Sequence, residues 1–223
     1  MFKRTLWAVL AIGLTVGFTG RPVLASEPAN LTYHKQDLRV YVDSGEYAQS
    51  VAAVALSANK YVAKRIARGQ AKGEKLAIVF DIDETTLSNL AHIVETDYGY
   101  VPKVWDGWLA EGRAPAIVPV QIVYDTADRA TIDVFFITGR READRRATEK
   151  NLREVGYDAW TKIYYKPETD IMLTTAGFKT DVRRKLAKEG YVIIANIGDQ
   201  DSDLTGGYAE RVFKLPNPFY LVK

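Results

Sequence analysis

The chain contains no cysteine. That absence excludes disulfides, zinc–thiolate sites, a cysteine nucleophile and lipid attachment to an N-terminal cysteine. Histidine is nearly missing too: only His34 and His92 occur, neither in an RHG-type or paired-ligand pattern, so both read as ordinary polar residues. Nor is there an excess of charge. The net charge is +2, and removing residues 1–25, which hold Lys3, Arg4 and Arg21 and no acid, turns it to −1. A chain so near neutrality gives no electrostatic case for a nucleic acid polymer or an anionic membrane as partner. Internal repeats and low-complexity tracts are absent as well. What remains, 47% hydrophobic and 26% charged residues over 223 positions, is the composition of one globular domain.

Only the first residues depart from that composition. Lys3 and Arg4 precede an apolar run from Leu6 to Phe18, and Val23-Leu24-Ala25 offers small or apolar residues before a cut at Ser26. This is the pattern of a secretory signal peptide. The run is shorter than the roughly 20 residues a spanning helix needs. The expectation is an exported protein, periplasmic or secreted, that loses residues 1–25 after Ala25 and has no stable membrane insertion afterwards.

Residues 26–74 precede the main domain. Within them Tyr47 to Arg68 is alanine-rich, lacks proline and glycine and stops near Gly69, so it reads as a helix. Val51, Val54, Ala55, Ala58, Tyr61, Val62 and Ile66 recur at helical spacing, which predicts packing against the core. From Lys75 the pattern changes. Leu76–Phe80, Thr131–Ile137 and Tyr191–Ile197 are apolar runs of the kind that form parallel strands buried on both faces. Helical patterns at about 142–155 and 180–189 lie between them. A shorter strand is expected at Lys162–Tyr165, and an edge strand at Val212–Leu215 before Pro216 and Pro218. The prediction is an α/β domain over 75–223 with a doubly wound, mainly parallel sheet, an N-terminal helix, and a small cap insertion at about 88–130.

In such a sheet, ligands bind beyond the carboxyl ends of the strands. All three long runs end there in polar residues: Asp81-Ile82-Asp83-Glu84, Thr138-Gly139-Arg140 and Gly198-Asp199-Gln200-Asp201. Asp81 and Asp83, at i and i+2, can share a site in different roles. One carboxylate can coordinate a cation and attack phosphorus, and the other can protonate a leaving oxygen and then activate water. An acidic pair alone more often caps a helix. Here the preceding buried strand and the following Thr85-Thr86-Leu87 argue against that. Thr138-Gly139 at a strand end is by itself only a cap and turn, although a hydroxyl and free N–H groups there make good anion ligands. The cluster Asp199, Asp201 and Asp203 closing a third strand suits a hard divalent cation.

Val79–Asn89 resembles the first motif of the haloacid dehalogenase (HAD) superfamily. Its form is most similar to the secreted acid phosphatases of bacterial class C and of the plant branch related to vegetative storage proteins. Phe136–Arg140, Phe178–Leu186, Asn196–Leu204 and Phe213–Tyr220 resemble further segments of that branch, so the likeness runs from about Lys75 to the end of the chain. It implies Asp81 as the nucleophile that becomes an aspartyl phosphate and Asp83 as general acid and base. Thr138, with Gly139, would bind the transferred phosphoryl group. Lys179 would be the lysine of the third motif, with Lys166 the alternative. Magnesium would be held by Asp81, Asp199 and Asp203 and by the backbone carbonyl of Asp83, while Asp201 falls between the patterned positions. The expected substrate is a small phosphomonoester, nucleoside monophosphates among them. Between the first two motifs stand Tyr98, Tyr100, Trp105 and Trp108. The spacing of Trp105 and Trp108 resembles class C enzymes, in which aromatics stack on a base or aryl group. Packing of the cap onto the core explains these rings equally well. Two other readings stand beside hydrolysis: phosphotransfer from the same intermediate to an alcohol, and a non-catalytic storage or binding protein on this fold.

Overall fold

The computed structural model describes residues 26–71, 73–168 and 174–222. The signal-peptide expectation for 1–25 lies outside the described residues. Among the described residues, no helix is long and apolar enough to cross a membrane.

Five parallel strands form one sheet: β1 (Lys75–Phe80), β2 (Asp133–Arg141), β3 (Lys162–Lys166), β4 (Tyr191–Gly198) and β5 (Val212–Lys214), in the order β3-β2-β1-β4-β5. The apolar runs are long because both faces are covered. Leu76, Ile78 and Phe80 of β1 join a core with Val134 and Phe136 of β2. Their alternates Ala77 and Val79 meet Phe135 and Ile137 on the opposite face. On the first face lie α2 (Glu46–Ala67) and α5 (Val118–Arg129), which pack against each other. On the second lies α7 (Thr175–Lys188), inserting Phe178, Val182 and Leu186. This is the doubly wound α/β architecture the sequence predicts. α2 buries Tyr47, Val51, Ala55, Ala58 and Val62 at the expected spacing.

Local readings differ in four places. The polar stretch before α2 holds a helix of its own, α1 (Leu31–Asp43), capped by the Asn30 side chain, which accepts the Thr32 N–H. None of its residues is fully buried; Leu38, Tyr41 and Val42 are partly buried and pack against the core. The run from Thr131 was expected as strand, but Thr131 takes a left-handed conformation (φ 55°). Its N–H and that of Ile132 close the end of α5 on Asp128 and Ala127, so β2 starts at Asp133. The helix expected at about Thr180 begins at Thr175, placing Lys179 one turn inside it.

The fourth difference concerns the cap insertion placed at 88–130. α5, inside that range, buries Val120, Val123, Tyr124 and Ala127 against the core. The rest of that range holds α3 (Leu90–Glu95) and α4 (Pro102–Glu111). Gly112 ends α4 at φ 59°, a conformation that favours glycine. After β2 a single 3₁₀ turn (Glu142–Asp144) leads into α6 (Arg145–Glu154), and α8 (Asp201–Leu204) follows β4.

Candidate active site

The carboxyl ends of β1, β2 and β4 meet at a cavity of about 510 Å³. β1 delivers Asp81, whose N–H continues the ladder to the Ile197 carbonyl at 2.9 Å. The chain then turns sharply: the N–H groups of Thr85, Thr86 and Leu87 all point at the Ile82 carbonyl. Thr86 Oγ1 donates to the Asp81 carbonyl at 2.6 Å. The turn places Glu84 at φ 52°, a strained conformation for a residue with a side chain. The buried Glu84 carboxylate is held there by the Asn89 backbone N–H, by Asn89 Nδ2 and by the Tyr220 hydroxyl. Burial, then the nearby acids, pushes Glu84 up to about 8 despite the Asn89 contacts.

Asp81, Asp199 and Asp203 present carboxylate oxygens within 4.8 Å of one another, all buried. Among the described residues, one side-chain cation pairs with these carboxylates. Lys179 donates to Asp81 and, at 2.7 Å, to Asp203. Burial alone would discharge Lys179, but Asp81 and Asp203 together raise its pKa and keep it charged. Asp199 accepts from Thr85 Oγ1, Gln200 Nε2 and Asn217 Nδ2. Even so, burial and then Asp203 push it up to about 6. Burial likewise pushes Asp81 up; Lys179 pulls it back, and the other carboxylates add to the upward push. Three buried carboxylates against one lysine leave a deficit of positive charge, and Ser202 Oγ in the same wall is buried without a partner among the described residues. This donor set suits a hard divalent cation bound through oxygen.

Asp83 stands apart from that cluster. Arg140, buried at the end of β2, donates to it from Nε and Nη2, the latter at 2.7 Å, and Asn89 Nδ2 adds a third contact. The Asp83 carboxylate still reaches the cavity. Thr138 is fully buried, and its Oγ1 accepts the Arg140 N–H at 3.1 Å. Gly139 faces the cavity. Asp201 is exposed on α8.

The two tryptophans separate. Trp105 lines the cavity. Trp108 is buried behind it, with Nε1 donating to Asn89 Oδ1 at 2.8 Å and its ring stacked on His92. His92 is itself buried in the cavity wall rather than an ordinary polar residue, whereas His34 is exposed on α1.

Sequence reasoning marked the segment Phe213–Tyr220 by its resemblance but gave no role to Asn217 or Tyr220, nor to Asn89, Arg140, Glu84 or Gln200. Asn217 holds Asp199, Tyr220 holds Glu84, and the Val222 N–H donates to Gln200 Oε1. The signal available was position: Arg140 directly follows the Thr138-Gly139 motif, and Asn89 closes the first motif.

A family model described as HAD superfamily, subfamily IIIB (Acid phosphatase) matches residues 24–223. The chain belongs to this family. Among solved structures it is similar to the class C acid phosphatase from Bacillus anthracis, with a TM-score of 0.69 and 27% identity, covering 84% of this chain and 86% of that one. Among curated proteins it is 37% identical over 155 residues to the stem 28 kDa glycoprotein of Glycine max, covering 67% of this chain and 61% of that protein. It is 36% identical over 148 residues to acid phosphatase 1 of Solanum lycopersicum, covering 65% and 58% respectively. The chain thus spans about three fifths of the length of the curated relatives it matches. In this member of subfamily IIIB, Asp81, Thr138 and Asp199 stand at the ends of three adjacent strands.

Proposed function

We propose that the chain is an exported, magnesium-dependent acid phosphatase that hydrolyses small phosphomonoesters through an aspartyl phosphate on Asp81. One observation carries this reading: Asp81 and Asp83 face one cavity from one turn but in different electrostatic company. Asp81 lies among buried carboxylates and Lys179, and Asp83 is paired with Arg140. Two carboxylates so separated suit the division between nucleophile and proton carrier.

Asp81, Asp199 and Asp203 would hold the magnesium ion with the Asp83 carbonyl, and the bound ion supplies positive charge beside the nucleophile and the phosphoryl oxygens. An Asp81 oxygen attacks phosphorus as the bond to the ester oxygen breaks. Lys179, the Thr138 hydroxyl and the Gly139 N–H stabilise the charge spread over the equatorial oxygens. Asp83 gives its proton to the departing alkoxide. It then takes one from the water that cleaves the aspartyl phosphate, returning Asp81 as a free carboxylate and releasing phosphate. Trp105, which lines the cavity, would flank an aryl or base leaving group.

The test is hydrolysis of p-nitrophenyl phosphate and of a nucleoside monophosphate by the chain from Ser26 onward, with magnesium and with EDTA, beside Asp81→Asn. Phosphate release that needs metal and vanishes in the variant is the expected result. A folded, metal-loaded protein with no turnover would move the reading to a storage or binding role.

A further inference from the structure

Beyond Lys179 the cavity continues into a basic end that the proposed reaction does not use. Arg141 and Lys166 are register partners at the ends of the adjacent strands β2 and β3, just past an irregularity in the pairing after Thr138. Both line the cavity, as does Thr175. Lys166 Nζ donates to Thr175 Oγ1 at 3.0 Å. Thr175 opens α7, and Lys179 follows it at i+4 on the same helix face. A continuous path therefore runs along one wall from Asp81 through Lys179 and Thr175 to Lys166 and Arg141.

These two cations are not surface ion pairs. Among the described residues no carboxylate lies within ion-pair distance of either: every pair in this region of the fold goes to Asp83, Asp81, Asp203 or the Glu142–Arg145–Glu149 cluster. Arg141 donates one N–H to the Pro167 carbonyl, and among the described residues its other guanidinium N–H groups have no acceptor, so they can serve an anion. Lys166 is half-buried. Its amine is pushed down by burial first, then by Arg141 and Lys179. Positive charge held together at the end of a cavity attracts an anion, and a guanidinium beside an ammonium suits a phosphate.

We propose that Arg141, Lys166 and Thr175 form a second anion subsite, which makes this protein select phosphomonoesters that carry a further phosphate group on the same molecule. The proposal rests on the phosphatase reading of the same cavity. The phosphoryl group to be transferred sits at Asp81 and Lys179, while the second phosphate docks on the basic end and is not cleaved there. Its contribution is binding and orientation of the substrate, realised in kcat/KM.

The experiment compares kcat/KM for a series of alkanediol bisphosphates of increasing spacer, the matching ω-phosphoalkanoates, and the plain alkyl phosphates. It uses the chain from Ser26 onward and the variants Lys166→Gln, Arg141→Gln and both together, each checked for an unchanged melting temperature. The expected result is a preference for one spacer length of bisphosphate. Each single variant should lower the bisphosphate-to-alkyl-phosphate ratio by about tenfold, the size of one charge-assisted hydrogen bond, and added salt should lower it further.

A ratio indifferent to the variants overturns the proposal. An equal loss on both substrates also does so, because it would put Lys166 on the reacting phosphoryl group. A carboxylate analogue that matches the bisphosphate overturns the assignment of phosphate. Calorimetric binding of the bisphosphates without turnover separates this idea from the one it rests on. Binding that weakens in Lys166→Gln supports the subsite even if no substrate is hydrolysed, and binding that does not weaken removes it.

Discussion

Arg140 illustrates how a residue can matter to the chemistry without touching the reacting atoms. Its guanidinium orients the Asp83 carboxylate with two nitrogens and ties itself to Thr148 Oγ1 with a third. Lysine at this place would keep the charge but lose the planar fork. Arg140→Lys is expected to lower kcat/KM by about 10²-fold, the scale of a small misplacement of a reacting group. The loss should fall on kcat more than on KM, because in the proposed reaction Asp83 acts on the leaving group and the attacking water rather than on binding. An unchanged kcat with a lowered melting temperature would make Arg140 merely structural. At this scale the sequence was legible where a residue type and a strand end coincide, as at Asp81, Asp83 and Asp199. It was not legible for Asn89, whose amide contacts Asp83, Glu84 and Trp108 at once, nor for Tyr220, which reaches Glu84 across 136 positions. Those roles exist only after folding, and no local pattern encodes them.

The strands were the most legible elements, because burial on both faces requires an unbroken apolar run. α2 was legible from its stripe of fully buried residues, and α1 was not, because only Leu38, Tyr41 and Val42 pack against the core and each is only partly buried. α8 is short and polar, yet it fixes the cation site: Asp203 Oδ2 accepts the Gln200 N–H and the Asn196 side chain holds the Asp203 carbonyl. Its close approach to β4 depends on Gly198. A Cβ there would lie 2.4 Å from Asp203 Cβ and 2.5 Å from Oδ2. Gly198→Ala must therefore displace α8. The expected cost is about 1–3 kcal/mol of stability, as for other overpacked sites, with a matching loss of magnesium affinity. Denaturant unfolding and calorimetric titration read the two effects, and retention of both would show that α8 yields without consequence.

Among the described residues, the buried carboxyl groups of Asp81, Glu84, Asp199 and Asp203 outnumber the buried cations Arg140, Lys179 and Arg183, and this bears on how stability responds to pH and metal. Asp199 and Glu84 have folded pKa values pushed up to about 6 and about 8, above their ordinary values of 3.8 and 4.5. Groups raised in this way favour the folded state fully below their ordinary pKa, and that contribution is lost as pH rises through the folded value. In EDTA the melting temperature should therefore fall between pH ~5 and ~8. Magnesium binds the ionised carboxylates of the folded state only, so the rise in melting temperature that it gives should grow across the same window. A gap between the two curves that stays constant with pH would show that the acidic cluster is not the ion's site.

The seam between β1 and β4 also joins parts of the chain that lie far apart in sequence. Thr85 and the Asp199 it supports are 114 positions apart, and Asn217 and Tyr220 come later still. The surroundings of the Asp81-Ile82-Asp83 turn are therefore completed by the last residues of the chain. A chain shortened before Asn217 would keep that turn, lose the partners of Asp199 and Glu84, and is expected to lose the proposed activity.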